Sequence, residues 1–220
     1  MTMQEASPRA LGEAAPAVAV KTDLERYCTL ALEVGASAAV VIPAGEIVVD
    51  ERVRLKCLVP RCIRAGETPN CPPATPDLDV VRRALARFSW SILFKCNVGP
   101  IEDYAPGKGT TKAEQRRVLS FHQKSGEVTH VLERQAYKDG YHLAMGFGGG
   151  SCKDYLCQGL ACQFLDSGRC RFPQRARPAM EAMGLDVVAL TGKVGWPMYA
   201  LLDDLQEIPC AITVGIVFIC

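Results

Sequence analysis

Seven of the eleven cysteines fall in two short groups, Cys57, Cys62 and Cys71, then Cys152, Cys157, Cys162 and Cys170, while Cys28, Cys96, Cys210 and Cys220 lie apart. Thiols gathered this way have three uses: disulfides, inert packing or metal ligation. Packing suits Cys28, Cys210 and Cys220, because a lone free cysteine behaves as a small hydrophobe. It does not suit the groups, which sit among glycines and prolines with little apolar company. A disulfide framework needs an oxidising compartment. The first twenty residues instead carry Glu5 and Glu13 where a signal peptide would have a basic and then an apolar stretch. They read as a flexible tail, residues 1–20, ahead of one cysteine-rich domain, residues 21–220. The expected location is the cytoplasm, and the grouped thiols are expected to hold metal.

Spacing narrows the metal. In the second group four, four and seven residues separate the cysteines, so one loop offers four thiolates, enough for a complete site. Thiolates suit zinc, copper(I) or iron–sulfur clusters. Structural zinc favours ligand pairs two to four residues apart, and no C-x-x-C occurs in the chain. An iron–sulfur cluster, of the [4Fe–4S] type, is therefore the leading expectation and zinc the alternative. Gly148, Gly149 and Gly150 are expected to turn amides toward cluster sulfides, with Gly159 and Gly168 easing the turns. The first group supplies three ligands, and the fourth is either Cys96 or an exogenous group.

Four protein ligands favour electron transfer, and three leave an iron corner open to substrate. The main functional expectation is thus an electron carrier or the support of a redox partner protein. An enzyme with an open-corner cluster and a zinc-stabilised interaction module are the alternatives. Gly146 to Gly150 lacks the Lys-Ser/Thr of a phosphate loop. His122, His130 and His142 are too scattered for a metal motif. Arg61, Arg64, Asp154, Arg169 and Arg171 read as solvated charge, and no nucleophile–base arrangement suggests hydrolysis.

Charge excludes some partners. The 25 basic and 24 acidic residues nearly cancel, with no basic stripe for nucleic acid. The apolar stretches at 36–42 and 211–220 fall short of the roughly 20 residues of a membrane helix. Helical spacing predicts a helix from Asp23 to Val34 with a cap at Gly35, and another from Asp77 to Phe88. Over 110–138 two helices or one kinked helix are expected, interrupted at Ser125-Gly126, and a short helix over 178–183. Strands are expected at 38–42, 47–49, 89–95, 140–147, 185–190 and 211–219, with an edge-like alternation at 53–56. Strands alternating with helices argue for an α/β layer structure with a mostly buried central sheet. Each cysteine group is also followed by proline, a helix and an apolar strand, an echo of order and not of residue identity.

The runs Val53 to Pro76 (VRLKCLVPRCIRAGETPNCPPATP), Met145 to Cys152 (MGFGGGSC), Asp166 to Pro173 (DSGRCRFP) and Arg175 to Glu181 (RARPAME), with the ending Pro209 to Ile219, resemble the DUF2284 family of predicted metal-binding proteins. The resemblance covers nearly everything after the tail. It implies metal binding through Cys57, Cys62, Cys71, Cys152, Cys157, Cys162 and Cys170, and implies no particular reaction.

Overall fold

The computed structural model describes residues 9–12, 15–99, 112–158, 160–200 and 208–220, with the side chains of 112–120 left aside. Four strands, β1 (Ala38–Pro43), β2 (Trp90–Val98), β3 (Met145–Phe147) and β4 (Ala211–Phe218), form one sheet in the order β1-β2-β4-β3. All three pairings are antiparallel. The two apolar runs SWSILFK and AITVGIVFI supply the inner strands, and inner strands are buried on both faces, which is why these runs do not alternate in polarity.

Helices cover both faces. On one, Leu93, Ile212, Val214, Ile216 and Phe218 pack with Val81 and Leu85 of α3 (Leu78–Leu85) and Val187 and Leu190 of α7 (Val187–Lys193). On the other, Ile92, Phe94, Val217 and Ile219 meet Leu24, Tyr27 and Ala31 of α1 (Ala17–Val34) and Val128, Leu132 and Ala136 of α4 (Lys112–Lys138). The period-2 alternation of side chains along a strand assigns neighbouring residues such as Ile92 and Leu93 to opposite layers.

The element order contains a repeat. A long helix, an edge strand, a cysteine loop, a short helix and an inner strand occur as α1, β1, residues 56–76, α3 and β2, then again as α4, β3, residues 148–178, α7 and β4. Both long helices share one face and both short helices the other. The echo read from the sequence, which ended on a helix at 178–183 and a strand at 185–190, is not what forms: 185–190 enters α7, and the second inner strand is β4.

Several expectations are corrected. Helix α1 starts at Ala17, so the last residues of the expected tail are helical. The strands expected at 47–49 and 185–190 shrink to a single bridge between Val49 and Leu185. The reason is the residue that follows each. Asp50 accepts from the Arg52 amide at 2.7 Å and opens α2 (Glu51–Leu55) where an edge-like strand was expected. Asp186 accepts from the Ala189 amide at 3.0 Å and opens α7. An N-cap carboxylate supplies a partner for an otherwise orphaned amide, and here that outweighs a short β-branched run. The strand expected over 140–147 is confined to 145–147, and only a 3-10 turn at Glu181–Met183 forms within 178–183.

Helix α4 runs unbroken through Ser125-Gly126. A Cβ on Gly126 would stand 2.6 Å from the Tyr155 ring, so the glycine answers a packing need and does not end the helix. Ser125, fully buried, donates its hydroxyl to the Val214 carbonyl at 3.4 Å. The contact with Tyr155 docks the second cysteine loop against the sheet's helical layer.

Candidate metal centre

The two cysteine loops meet. The second begins with Ser151, whose hydroxyl accepts from the Lys153 amide at 3.4 Å and starts the single-turn helix α5 (Cys152–Tyr155). Cys152 and Tyr155 are buried there. Cys157, Cys162 and Cys170 follow on turns around the short helix α6 (Gln163–Ser167), and all three are half-buried. Cys152, Cys157, Cys162 and Cys170 all contribute to the lining of one small pocket, whose remaining wall includes Thr68, Pro69 and Asn70 of the first loop. Four cysteines separated in sequence by up to 18 residues thus contribute to one lining.

Four contacts fasten the first loop to the second. Asn70 Nδ2 donates to Cys152 Sγ at 3.4 Å, and Cys71 Sγ lies 3.5 Å from Ser151 Oγ. Arg64 Nε donates to Asp154 at 3.0 Å within an ion pair, and Lys153 pairs with Glu67. Arg64 and Asp154, read from the sequence as solvated charge, are therefore partners across the junction. Arg61 and Arg171 bond carbonyls of their own loops, at Ala65 and Ala161, over 2.9 and 2.7 Å. Thr68, Asn70, Ser151, Lys153 and Glu67 went unmarked in the sequence reading. The signal available was adjacency to cysteine, which says nothing about what lies opposite.

The thiols sit in environments that differ in charge stabilisation. Burial, then the neighbouring Cys62, Glu181 and Cys71, pushes the Cys57 thiol up. Burial also raises Cys152, opposed by hydrogen bonds from Asn70 and Thr68. Both therefore hold their protons at neutral pH, and a metal must displace them. Backbone amides already point at two sulfurs: Arg64 N to Cys62 Sγ at 3.5 Å and Phe172 N to Cys170 Sγ at 3.3 Å. Such N–H···S bonds stabilise thiolate charge and tune a metal held there.

Cys96 takes a different position. Its side chain lies in the layer between the sheet and helices α1 and α4, 2 % exposed and hydrogen-bonded to Thr213. Burial pushes its thiol up to about 11. The odd–even alternation of β2 directs it into that core, where it packs among apolar side chains. Of the three glycines, Gly148 departs from expectation. The Gly148 amide bonds Pro178 O at 3.1 Å and so is not offered to a sulfide. Gly149 and Gly150 lie against His122 of α4, and Gly150, at φ +69°, leaves room for that ring, which a Cβ would meet at 2.6 Å. Their smallness serves the docking of loop against helix. Gly159 lies outside the described residues.

Cys28 and Cys220 pack against the α1–α4 core and Cys210 against the opposite one. None of the eleven cysteines is in a disulfide. Among the described residues, no three His, Cys, Asp or Glu side chains are drawn tightly enough to enclose a single ion. The donor set nonetheless fits a sulfur-seeking centre, because four cysteines line one pocket and amides or polar side chains approach four of the grouped sulfurs, those of Cys62, Cys71, Cys152 and Cys170.

These features define an α/β protein with a paired-loop, cysteine-lined site. A family model described as "Predicted metal-binding protein (DUF2284)" matches residues 40–219, and the chain belongs to that family. No curated protein and no solved structure matches the chain significantly. Among the described residues, no helix is long and apolar enough to cross a membrane.

Proposed function

We propose that the chain is a cytoplasmic iron–sulfur protein that passes electrons to, or otherwise supports, a redox partner protein. Cys152, Cys157, Cys162 and Cys170 would hold a [4Fe–4S] cluster, which supplies one-electron chemistry when bound. The observation that supports this reading is that all four of those cysteines are among the residues lining one pocket. Their unequal spacing, without C-x-x-C, suits a cube with a thiolate at each corner better than a single tetrahedral zinc. Eleven unbridged cysteines suit a reducing compartment.

The chain's own residues would do three things. Asn70 and the amides at Arg64 and Phe172 would place positive dipoles on sulfur. The Arg64–Asp154 and Lys153–Glu67 pairs would hold the loops in register. Exposed apolar residues on the same loops, Val59, Ile63, Leu160, Phe164 and Leu165, would give a partner a dry contact close to the cluster.

A second reading rests on Cys96. With that thiol packed in the core, Cys57, Cys62 and Cys71 would supply three ligands, and Cys62 is exposed. A metal held by these three keeps a position for an exogenous ligand, the arrangement an enzyme would use.

Anaerobic purification followed by iron, sulfide and zinc analysis, with electron paramagnetic resonance after dithionite reduction, tests both. Iron with matching sulfide and a reduced-cluster signal is the expected result. Stoichiometric zinc without iron would defeat the cluster and leave a zinc-stabilised interaction module. A second cluster signal that changes on adding cyanide or a small thiol would favour the open position on the first loop.

A further inference from the structure

A large cavity lies away from the two cysteine groups. It has a volume of about 1080 Å³ and wraps the end of the sheet where β1 finishes and β3 begins. Leu24, Val41, Phe88, Trp90, Met145 and Ile219 give it an apolar wall drawn from α1, all four strand ends and the turn after α3. Ligand pockets of this kind run to about 1,000 Å³, mostly apolar, with a few polar groups that fix orientation.

The polar groups are asymmetric in charge. Lys21, Arg87 and His142 stand on the lining against Glu25 alone. Among the described residues, neither Lys21 nor Arg87 is in an ion pair. The nearby carboxylate of Asp23, by contrast, is already engaged by Arg9, Arg26 and the Tyr141 hydroxyl. Leu143 and Trp90 at the mouth are exposed, 68 % and 38 %, which is costly unless something apolar covers them.

We infer that this cavity binds a small amphipathic anion, an alkyl or ring body with one carboxylate or phosphate head, the body along the apolar wall and the head between Lys21 and Arg87. This goes beyond the metal reading and does not depend on it. No helix dipole or backbone nest is needed, since the charge imbalance of the rim selects the head and the cavity selects the body.

Calorimetric titration of the full chain, as purified, with decanoate and with decyltrimethylammonium, both below micelle-forming concentration, tests the proposal. One decanoate per chain is expected, bound about tenfold more tightly than the cation of equal length, since two exposed charge contacts of somewhat under 1 kcal/mol each multiply to that ratio. Ala84→Trp fills the cavity from α3 and Val20→Trp from α1, and each should weaken decanoate more than about tenfold without changing metal content. If one of them fails to fold, the other carries the test. Lys21→Gln with Arg87→Gln should bring anion and cation within about threefold of each other.

Decanoate binding that survives both wall variants, or a cation bound as tightly as the anion, overturns the proposal. So does saturable binding only after residues 1–8 are removed, which would make the chain's own N-terminus the occupant. Co-sedimentation with anionic vesicles in place of one-to-one binding would reassign the face to a lipid surface.

Discussion

The two halves of the chain build the same parts and use them differently. Cys57-x4-Cys62-x8-Cys71 in the first loop is matched by Cys157-x4-Cys162-x7-Cys170 in the second, about one hundred residues later. The second half adds Cys152, seated at the start of α5 and anchored by Tyr155 against Gly126. The first half has no counterpart, and instead lends Thr68, Pro69 and Asn70 to the wall of its neighbour's pocket. The first loop thus carries three grouped cysteines and contributes to the wall of the pocket that the four cysteines of the second loop line. What the difference teaches is that the count of thiols in a loop does not fix its task. The task is fixed by what the partner loop places opposite.

The largest expected effect asks whether the halves can come apart. Phe94 belongs to β2 of the first half, and its ring lies over Gly215 of β4 in the second. Phe94→Ala should cost about 3–5 kcal/mol, the usual loss for a buried aromatic. Denaturant unfolding followed by both fluorescence and circular dichroism should stay a single transition, and two transitions would mean that the halves fold independently.

Next, Cys152→Ser should weaken metal binding by more than about 100-fold, the upper figure for losing a mere outer partner of a ligand. Cys96→Ser should leave metal content unchanged. Metal titration monitored by absorbance compares the two variants, and equal losses would erase the distinction drawn between them.

Gly126→Ala carries a sign that is itself informative. In an isolated helix the change gains about 1 kcal/mol. Here the added methyl meets the Tyr155 ring, and overpacking of this kind costs about 1–3 kcal/mol. Net destabilisation is expected, with faster hydrogen exchange in residues 152–158 than in 57–71. A stabilised variant would show that the second loop is not held by that contact.

The smallest effect separates the long helices. Burial would raise the Asp23 carboxyl, but hydrogen bonds from Arg26, Tyr141 and Arg9 outweigh it and hold the group below its usual value. A depressed carboxylate adds stability above its unfolded pKa of about 3.9, and that contribution fades as pH falls through the folded value. Asp23→Asn should therefore lower stability at neutral pH by less than about 1 kcal/mol and flatten the acid limb below about pH 4. An unchanged acid limb would move the source of acid sensitivity away from α1.

Within the sequence, α1 was legible from its helical periodicity and the inner strands from short, continuous apolar and β-branched runs. The short β-like runs at 47–49 and 185–190 misled because Asp50 and Asp186 cap helices immediately after them. Ser125-Gly126 misled because a turn signal and a packing gap look alike until Tyr155 is placed. The charges beside the cysteines were visible, but Arg64 and Asp154 lie 90 residues apart, and no local pattern announces such a pair.

By itself, then, the sequence determined the chemistry available, seven thiols in two loops, and the apolar strands that must be buried between helical layers. Local pattern suffices there, because hydrophobic burial and ligand type depend on residue identity and near neighbours. The tertiary structure decided which thiols share a space, which way Cys96 points, and which carboxylate meets which guanidinium. Those depend on strand parity and on contacts across the fold, which spacing along the chain does not encode.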